Sequence, residues 1–393
     1  MPKKTVRDVE VNGKRVLVRV DFNVPLKEGK VADDSRLKAA LPTVRYLCDR
    51  GARVILVSHL GRPKGAPDDR LRLDPVAVRL GELLGQPVRK VDDCAGPTVE
   101  KAVAALAPGE VLLLENIRFH PGETKNDPEL AQQLAVLCDL YVNDAFGTAH
   151  RAHASTVGVA SLRPAVAGFL LERELDVLGR LLTQPEQPFV VVVGGAKISD
   201  KIGILENLMG RVSALLIGGG MANTFLAAQG HGLGRSLVET EKIEVARQLL
   251  SQATTRNLRL VLPVDLVVAE SQEPGTPYQT VPVDAVPEGW MALDIGPETV
   301  RLFADTLAGA KTVFWNGPLG FFEQPPFDAG TLAVARALPP APATTVVGGG
   351  DTVRAVMRAE VADKVTHIST GGGAALNFLE GKELPGVAVL QEK

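Results

Sequence analysis

The sequence predicts an α/β protein of two similar-sized domains, each a mainly parallel sheet flanked by helices in a three-layer, Rossmann-like arrangement, joined by a helix. Three observations predict it. At roughly 100–200 residues per domain, 393 residues give two cores of ordinary size. Near-continuous apolar runs such as Phe189-Val190-Val191-Val192-Val193 mark strands buried on both faces, as parallel sheets covered by helices require. Strand-like runs alternate with helix-like stretches, the pattern of repeated βαβ units.

In the first part, strands are expected at 15–20, 53–57, 111–114 and 139–142. In the second they are expected at 189–193, 214–217, 258–262, 312–315, 344–347 and 367–369. Between the two sets, 169–182 reads as an amphipathic Leu/Glu helix, and Gln184-Pro185-Glu186-Gln187-Pro188 breaks it. The expected boundaries are a first domain at 1–168, a connecting helix and linker at 169–188 and a second domain at 189–380. A tail follows at 381–393.

Ligands of open parallel sheets bind beyond the carboxyl ends of the strands. Here those ends carry Asp21-Phe22-Asn23, then Ser58-His59-Leu60-Gly61-Arg62, then Glu115-Asn116-Ile117-Arg118, then a run from Asn143 to Arg151. Arg36, Arg62, Arg118 and Arg151 form the cationic group of interest. Arginine forks grip carboxylate and phosphate in two-point fashion, and several converging forks repel one another unless an anion lies between them. For any one of them, the alternative is a solvated surface charge. Asp21 and Asn23 would accept hydrogen bonds from a substrate hydroxyl. His59, followed by Leu60, Gly61 and Arg62, is a candidate donor to an anion. His150-Arg151-Ala152-His153 lacks a third ligand and has an arginine between its histidines, which argues against a metal site.

The second part carries glycine clusters at its strand ends. They are Gly194-Gly195-Ala196-Lys197, Gly218-Gly219-Gly220, Gly348-Gly349-Gly350-Asp351-Thr352 and Gly371-Gly372-Gly373. Glycine lets the backbone approach a ligand, its N–H groups cradle phosphate, and a helix opening there adds its positive end. Asp351 has two readings, a plain helix N-cap or a carboxylate that bridges polyphosphate through Mg²⁺. Lys197 on the turn and Lys201, entering a helix expected at 201–209, are either phosphate ligands or solvated lysines. Neither G-x-x-x-x-G-K-[ST] nor G-x-G-x-x-G occurs, which removes a P-loop and counts against a nicotinamide-dependent dehydrogenase.

Composition excludes other classes. Residues 1–168 carry a net charge of +4 and the rest −7, which suits a small anion and falls far short of a nucleic-acid surface. No apolar run reaches the roughly 20 residues that span a membrane, and the N-terminal residues lack a signal-peptide core, so a cytoplasmic location is expected. Cys48, Cys94 and Cys138 show no paired spacing and read as isolated reduced thiols. With no heptad or edge-strand feature demanding a dimer, a monomer is expected.

Several segments together resemble the phosphoglycerate kinase family. The first part contributes Arg19-Val20-Asp21-Phe22-Asn23-Val24-Pro25, Ser58-His59-Leu60-Gly61-Arg62-Pro63, Glu115-Asn116-Ile117-Arg118-Phe119 and Gly147-Thr148-Ala149-His150-Arg151-Ala152-His153. The second contributes Gly194-Gly195-Ala196-Lys197, Trp315-Asn316-Gly317-Pro318, the run 348–352 and Ser369-Thr370-Gly371-Gly372-Gly373. They occur in family order over nearly the whole chain.

The resemblance implies a hinge between the domains and transfer of a phosphoryl group between 1,3-bisphosphoglycerate and ADP, giving 3-phosphoglycerate and ATP. It implies that Asp21, Phe22, Asn23, Arg36, His59, Leu60, Gly61, Arg62, Arg118 and Arg151 hold phosphoglycerate. It assigns Lys201, Glu323, Gly349, Gly350, Asp351 and Thr352 to the nucleotide, with Glu323 at the ribose and Mg²⁺ on Asp351. Arg36 and Lys197 would stabilise the transferring group, and the tail would fold back on the first domain. The chain departs from the family pattern at Ala375, where serine is usual, and at Ala292, often glycine near the adenine. A hinged anion-binding protein without turnover is the alternative.

Overall fold

The computed structural model describes residues 2–393. The chain divides into two compact units. One comprises the residues up to Asp176 together with Lys382–Lys393, and the other is Val177–Gly381. The helix Phe169–Thr183 spans the dividing line.

The first unit is built on six strands in the order Val88–Lys90, Val111–Leu113, Arg53–Val57, Arg15–Arg19, Leu140–Asn143, Ala165–Ala167. Every neighbouring pair is parallel. Val16, Val18, Val54, Leu56, Val111 and Leu113 pack on one face with Leu37, Val44, Val76 and Leu80 from the helices Ser35–Asp49 and Asp74–Leu84. Their alternates Leu17, Ile55, Leu112 and Tyr141 are equally buried on the other face, which is why the strands lack a polar side. The strand order reverses between Arg15–Arg19 and Leu140–Asn143, the kind of position at whose carboxyl side open parallel sheets bind ligands.

The C-terminal segment completes this unit. Lys4 N–H donates to Gln391 O at 2.8 Å and Gln391 N–H to Ala165 O at 2.9 Å. Asn143 Nδ2 donates to Gly386 O at 2.8 Å.

The second unit has six parallel strands in the order Arg259–Val261, Ala214–Ile217, Phe189–Val193, Thr312–Asn316, Thr344–Gly348, His367–Ile368. The order reverses between Phe189–Val193 and Thr312–Asn316, whose carboxyl ends lead into Gly194 and Gly317. These glycines are required sterically. A Cβ on Gly194 would lie 2.1 Å from Pro318 O, and one on Gly317, at φ +98°, would lie 2.2 Å from Gly194 O.

The structure adds elements that the sequence does not announce. Val88–Lys90 and Ala165–Ala167 are three-residue edge strands. Asp265–Ala269, Tyr278–Pro282 and Met291–Ile295 form a separate antiparallel sheet. Other boundaries move by a residue or two. The helix expected at 201–209 runs Ile202–Leu208 with Lys201 outside it, so Lys197 and Lys201 do not share a helix face. The last large helix begins at Gly350.

Candidate active site

In the first unit, Arg19 is the hub. It is fully buried, its Nε donates to Ser155 Oγ at 2.9 Å, and its Nη2 lies 3.1 Å from His59 Nδ1. A guanidinium only donates, so Nδ1 must accept and the ring proton sits on Nε2. Burial, then the charges of Arg19, Arg118, Arg36 and Arg151, hold the His59 pKa well below its usual value. His59 is therefore a neutral Nε2–H donor. Its Nδ1 lies 3.9 Å from Asp21 Oδ1, too far for a hydrogen bond, and Asp21 instead pairs with Arg36 Nη1.

Arg118 feels the same crowding. Burial, Arg19 and Arg151 bring its pKa down to about 10, so it stays charged near neutral pH. Its Nη1 donates to Gly61 O at 2.8 Å, and its buried Nε has no partner. The balancing carboxylates are Asp21 and Glu123. Glu123 is buried, accepts from Ser155 Oγ at 2.6 Å, and stays ionised because His153, Arg19 and Ser155 outweigh the burial that opposes it. Four arginines around a neutral histidine, against two carboxylates, leave an excess positive charge at the strand ends.

Asn23, Phe22 and Leu60 hold the loops beside this cluster. Asn23 Oδ1 accepts from Gly61 N–H at 2.8 Å, tying two strand-end loops together. Phe22 and Leu60 are buried, and their N–H groups are taken by Ser58 Oγ and Asn116 Oδ1, so they frame the loops. Arg151 is exposed, with Nε 3.2 Å from His150 Nε2. Arg62 is exposed and makes no hydrogen bond or ion pair among the described residues. Cys94 lies near Asp93 and His120, their ligand atoms within 4.8 Å of one another. His120 Nε2 already meets Asp93 Oδ1 at 2.8 Å and Cys94 Sγ bonds Glu115 O at 2.7 Å, so the group is satisfied as it stands.

In the second unit, a pocket of about 360 Å³ opens beside the strand reversal. Gly195, Gly219 and Gly220 floor it, Ala292 and Phe321 wall it, and Glu323 and Asp351 reach it. The glycine floor is obligatory, since a Cβ on Gly219, at φ +69°, would lie 2.8 Å from Gly195 O. Asp351 is not the N-cap. Gly349, at φ +89°, holds that position, and Asp351 lies in the first turn with its carboxylate paired to the exposed Arg354. Thr352 is buried, and its Oγ1 accepts from Gly317 N–H at 2.7 Å. A Cβ on Gly350 would meet nothing within 4 Å, so the helix start is open.

Lys201 Nζ donates to Asn316 Oδ1. Burial lowers the lysine pKa. Asn316 Nδ2 is buried with no partner and faces the turn at Gly349, where a Cβ would lie 3.0 Å from it. Lys197 is exposed and makes no ion pair among the described residues. Arg19, Asn316 and Asp294 are contributors that the strand-end reading passes over, although the first two lie inside quoted motifs. Ala292 does line the pocket, and Ala375 is buried in the helix Gly373–Leu379.

A single carboxylate at an open helix start fits Mg²⁺, which takes one or two carboxylates and completes its shell with phosphate oxygens and water. Asp351 is a carboxylate of that kind, paired in this structure with the solvent-exposed Arg354.

A family profile described as "Phosphoglycerate kinase" matches residues 6–382. The chain is 61% identical over 393 residues to the "Phosphoglycerate kinase" of Pelotomaculum thermopropionicum, and covers all of both proteins. The same identity and length hold for that of Moorella thermoacetica. Among solved structures, the phosphoglycerate kinase of Coxiella burnetii matches with a TM-score of 0.89 at 43% identity, covering 99% of this chain and 98% of that one. That of Pyrococcus horikoshii matches with a TM-score of 0.85 at 34% identity and the same coverage.

Proposed function

The chain belongs to the phosphoglycerate kinase family, and from that premise we propose how its two sites divide the work. The reaction is reversible phosphoryl transfer between 1,3-bisphosphoglycerate and ADP, giving 3-phosphoglycerate and ATP in glycolysis. In the proposal, the first unit binds phosphoglycerate. Arg118, Arg151 and Arg62 grip its anionic ends, neutral His59 donates from Nε2, and Asp21 and Asn23 meet the hydroxyl. The observation that carries this is the excess of arginines over carboxylates around His59.

The second unit binds the nucleotide in the glycine-floored pocket. Ala292 and Phe321 flank the base, Glu323 takes the ribose, and the phosphates run toward Gly349, Gly350 and Lys201. Asn316 Nδ2, unpartnered, is positioned to donate to them. Asp351 would hold Mg²⁺, which would offset the negative charge of the polyphosphate. Phosphoryl transfer asks the protein for placement and charge stabilisation, which Arg36 and Lys197 supply. The acyl phosphate must also meet the nucleotide in line with water excluded, so closure about the helix Phe169–Thr183 belongs to the proposal. So does a cytoplasmic monomer, for which light scattering should return a single-chain mass.

The direct test is ATP formation from 1,3-bisphosphoglycerate and ADP, with and without Mg²⁺. Turnover should be abolished by chelation and restored by added Mg²⁺. Asp351→Asn should raise the Mg²⁺ concentration needed for half-maximal rate by about tenfold or more, as losing one charge-assisted contact implies. An unchanged Mg²⁺ requirement would remove Asp351 from the metal site.

A further inference from the structure

Asp294 is the residue to which no role has been given, although it lines the nucleotide pocket. It is the penultimate residue of the strand Met291–Ile295 and is 3% exposed. Its Oδ1 accepts from Ile295 N–H at 2.9 Å and its Oδ2 from Gly330 N–H at 2.7 Å. Gly330 lies in the first turn of the helix Ala329–Arg336, directly after the loop that carries Phe321 and Glu323. Upstream, Phe321 N–H donates to Leu293 O at 2.6 Å. The loop is thus pinned at both ends by two consecutive residues of one strand, and Glu323 lies between the pins.

Packing around the carboxyl is equally tight. A Cβ on Gly320 would lie 2.3 Å from Asp294 Oδ1, and one on Gly330 would lie 2.6 Å from it. Both glycines are needed so that the loop can close down on this one side chain.

We propose that Asp294 is a positioning residue for nucleotide binding, fixing the loop 318–330 so that Phe321 and Glu323 meet the nucleotide in a preformed geometry. The inference rests on the pocket being the nucleotide site. Burial, with the nearby Asp328 as an adverse charge, brings the Asp294 pKa up to about 8, so near neutral pH the group is mostly the uncharged acid. Asparagine keeps a carbonyl oxygen for Gly330 N–H while giving up the acceptor for Ile295 N–H, whereas alanine leaves both N–H groups without a partner.

The test is steady-state kinetics at pH 7 on Asp294→Ala and Asp294→Asn. Asp294→Ala should raise KM for ADP and ATP about tenfold, the scale of one lost buried hydrogen bond. Its kcat should stay within about threefold and its KM for phosphoglycerate should not move. Asp294→Asn should restore nucleotide KM to within about threefold of the parent. A merely structural role would lower the melting temperature and the active fraction while leaving nucleotide KM unchanged, and that outcome overturns the proposal.

Ala292→Leu, which fills the pocket, separates the two levels. If it raises nucleotide KM and Asp294→Ala does not, the pocket assignment stands and the positioning role falls. If Ala292→Leu has no effect, the pocket assignment itself falls. Should Asp294→Ala fail to fold, hydrogen exchange of the parent enzyme decides. Added ADP should protect the segment 318–330, and unchanged exchange there overturns the role.

Discussion

Replacing Lys197 by alanine should lower kcat by about 10²–10³, the usual cost of removing one group aimed at charge that develops in the transition state. Nucleotide KM should change by less than about threefold, because such a contact strengthens only as the phosphoryl group moves. The structural ground is the state of the side chain. Lys197 follows the turn Gly194-Gly195-Ala196, is exposed, and has no ion pair among the described residues; its charge acts on Glu239 without direct contact, which leaves the ammonium able to turn to a ligand. Lys201, by contrast, already donates to Asn316. An exposed lysine contributes little to folding, so the melting temperature of the variant should match the parent closely. A large rise in KM at unchanged kcat would make Lys197 a ground-state binder and remove it from the catalytic set.

Arg19→Met should cost about 3–5 kcal/mol, the range seen when a buried charge loses its opposite number, the link here running from Arg19 Nε through Ser155 Oγ to Glu123. For a unit of this size, that lowers its melting transition by roughly 6–20 °C. Arg19 is fully buried, and so is Glu123, which relies partly on the arginine's charge to stay ionised. Without it, Glu123 must hold a buried charge on Ser155 and His153 alone or take up a proton. The same change frees His59 Nδ1, so the ring loses the contact that fixes its tautomer. Arg19→Lys should rescue little, since an ammonium cannot reach Ser155, Val20 O and His59 together. Urea titration reads the stability, and 3-phosphoglycerate titration should show weaker binding even in well-folded samples. A loss below about 1 kcal/mol would mean that Arg19 is not the counter-charge of Glu123.

The sequence made the frame visible where apolar runs were long. Residues 189–193 could hardly be anything but a buried strand. It failed at three-residue edges such as Val88–Lys90, where charged residues leave no β signal, and at 265–295. There, prolines and glycines hid the antiparallel sheet that walls the pocket. The candidate residues were those that follow strands, and most lie at the carboxyl ends of the two parallel sheets. Arg19 escaped because it lies inside a strand, where an alternating arginine reads as a solvent-facing side. Its partner Ser155 is distant in sequence, so only the folded chain reveals the contact. Asp294 escaped for the same reason, being paired with a backbone N–H in another element.

The return of Lys382–Lys393 to the first unit has a consequence for synthesis on the ribosome. The second unit is continuous in sequence and can close as soon as it has emerged. The first cannot finish, because Lys4 O takes Ala167 N–H but Ala165 O, at the other end of the strand Ala165–Ala167, waits for Gln391 N–H. At about 5–20 residues per second, that end of the strand stays uncovered for roughly 10–40 s while the second unit is made. An uncovered strand edge invites pairing with another chain. Vectorial synthesis thus leaves the earlier-made unit open longest, and chaperone demand should fall on it.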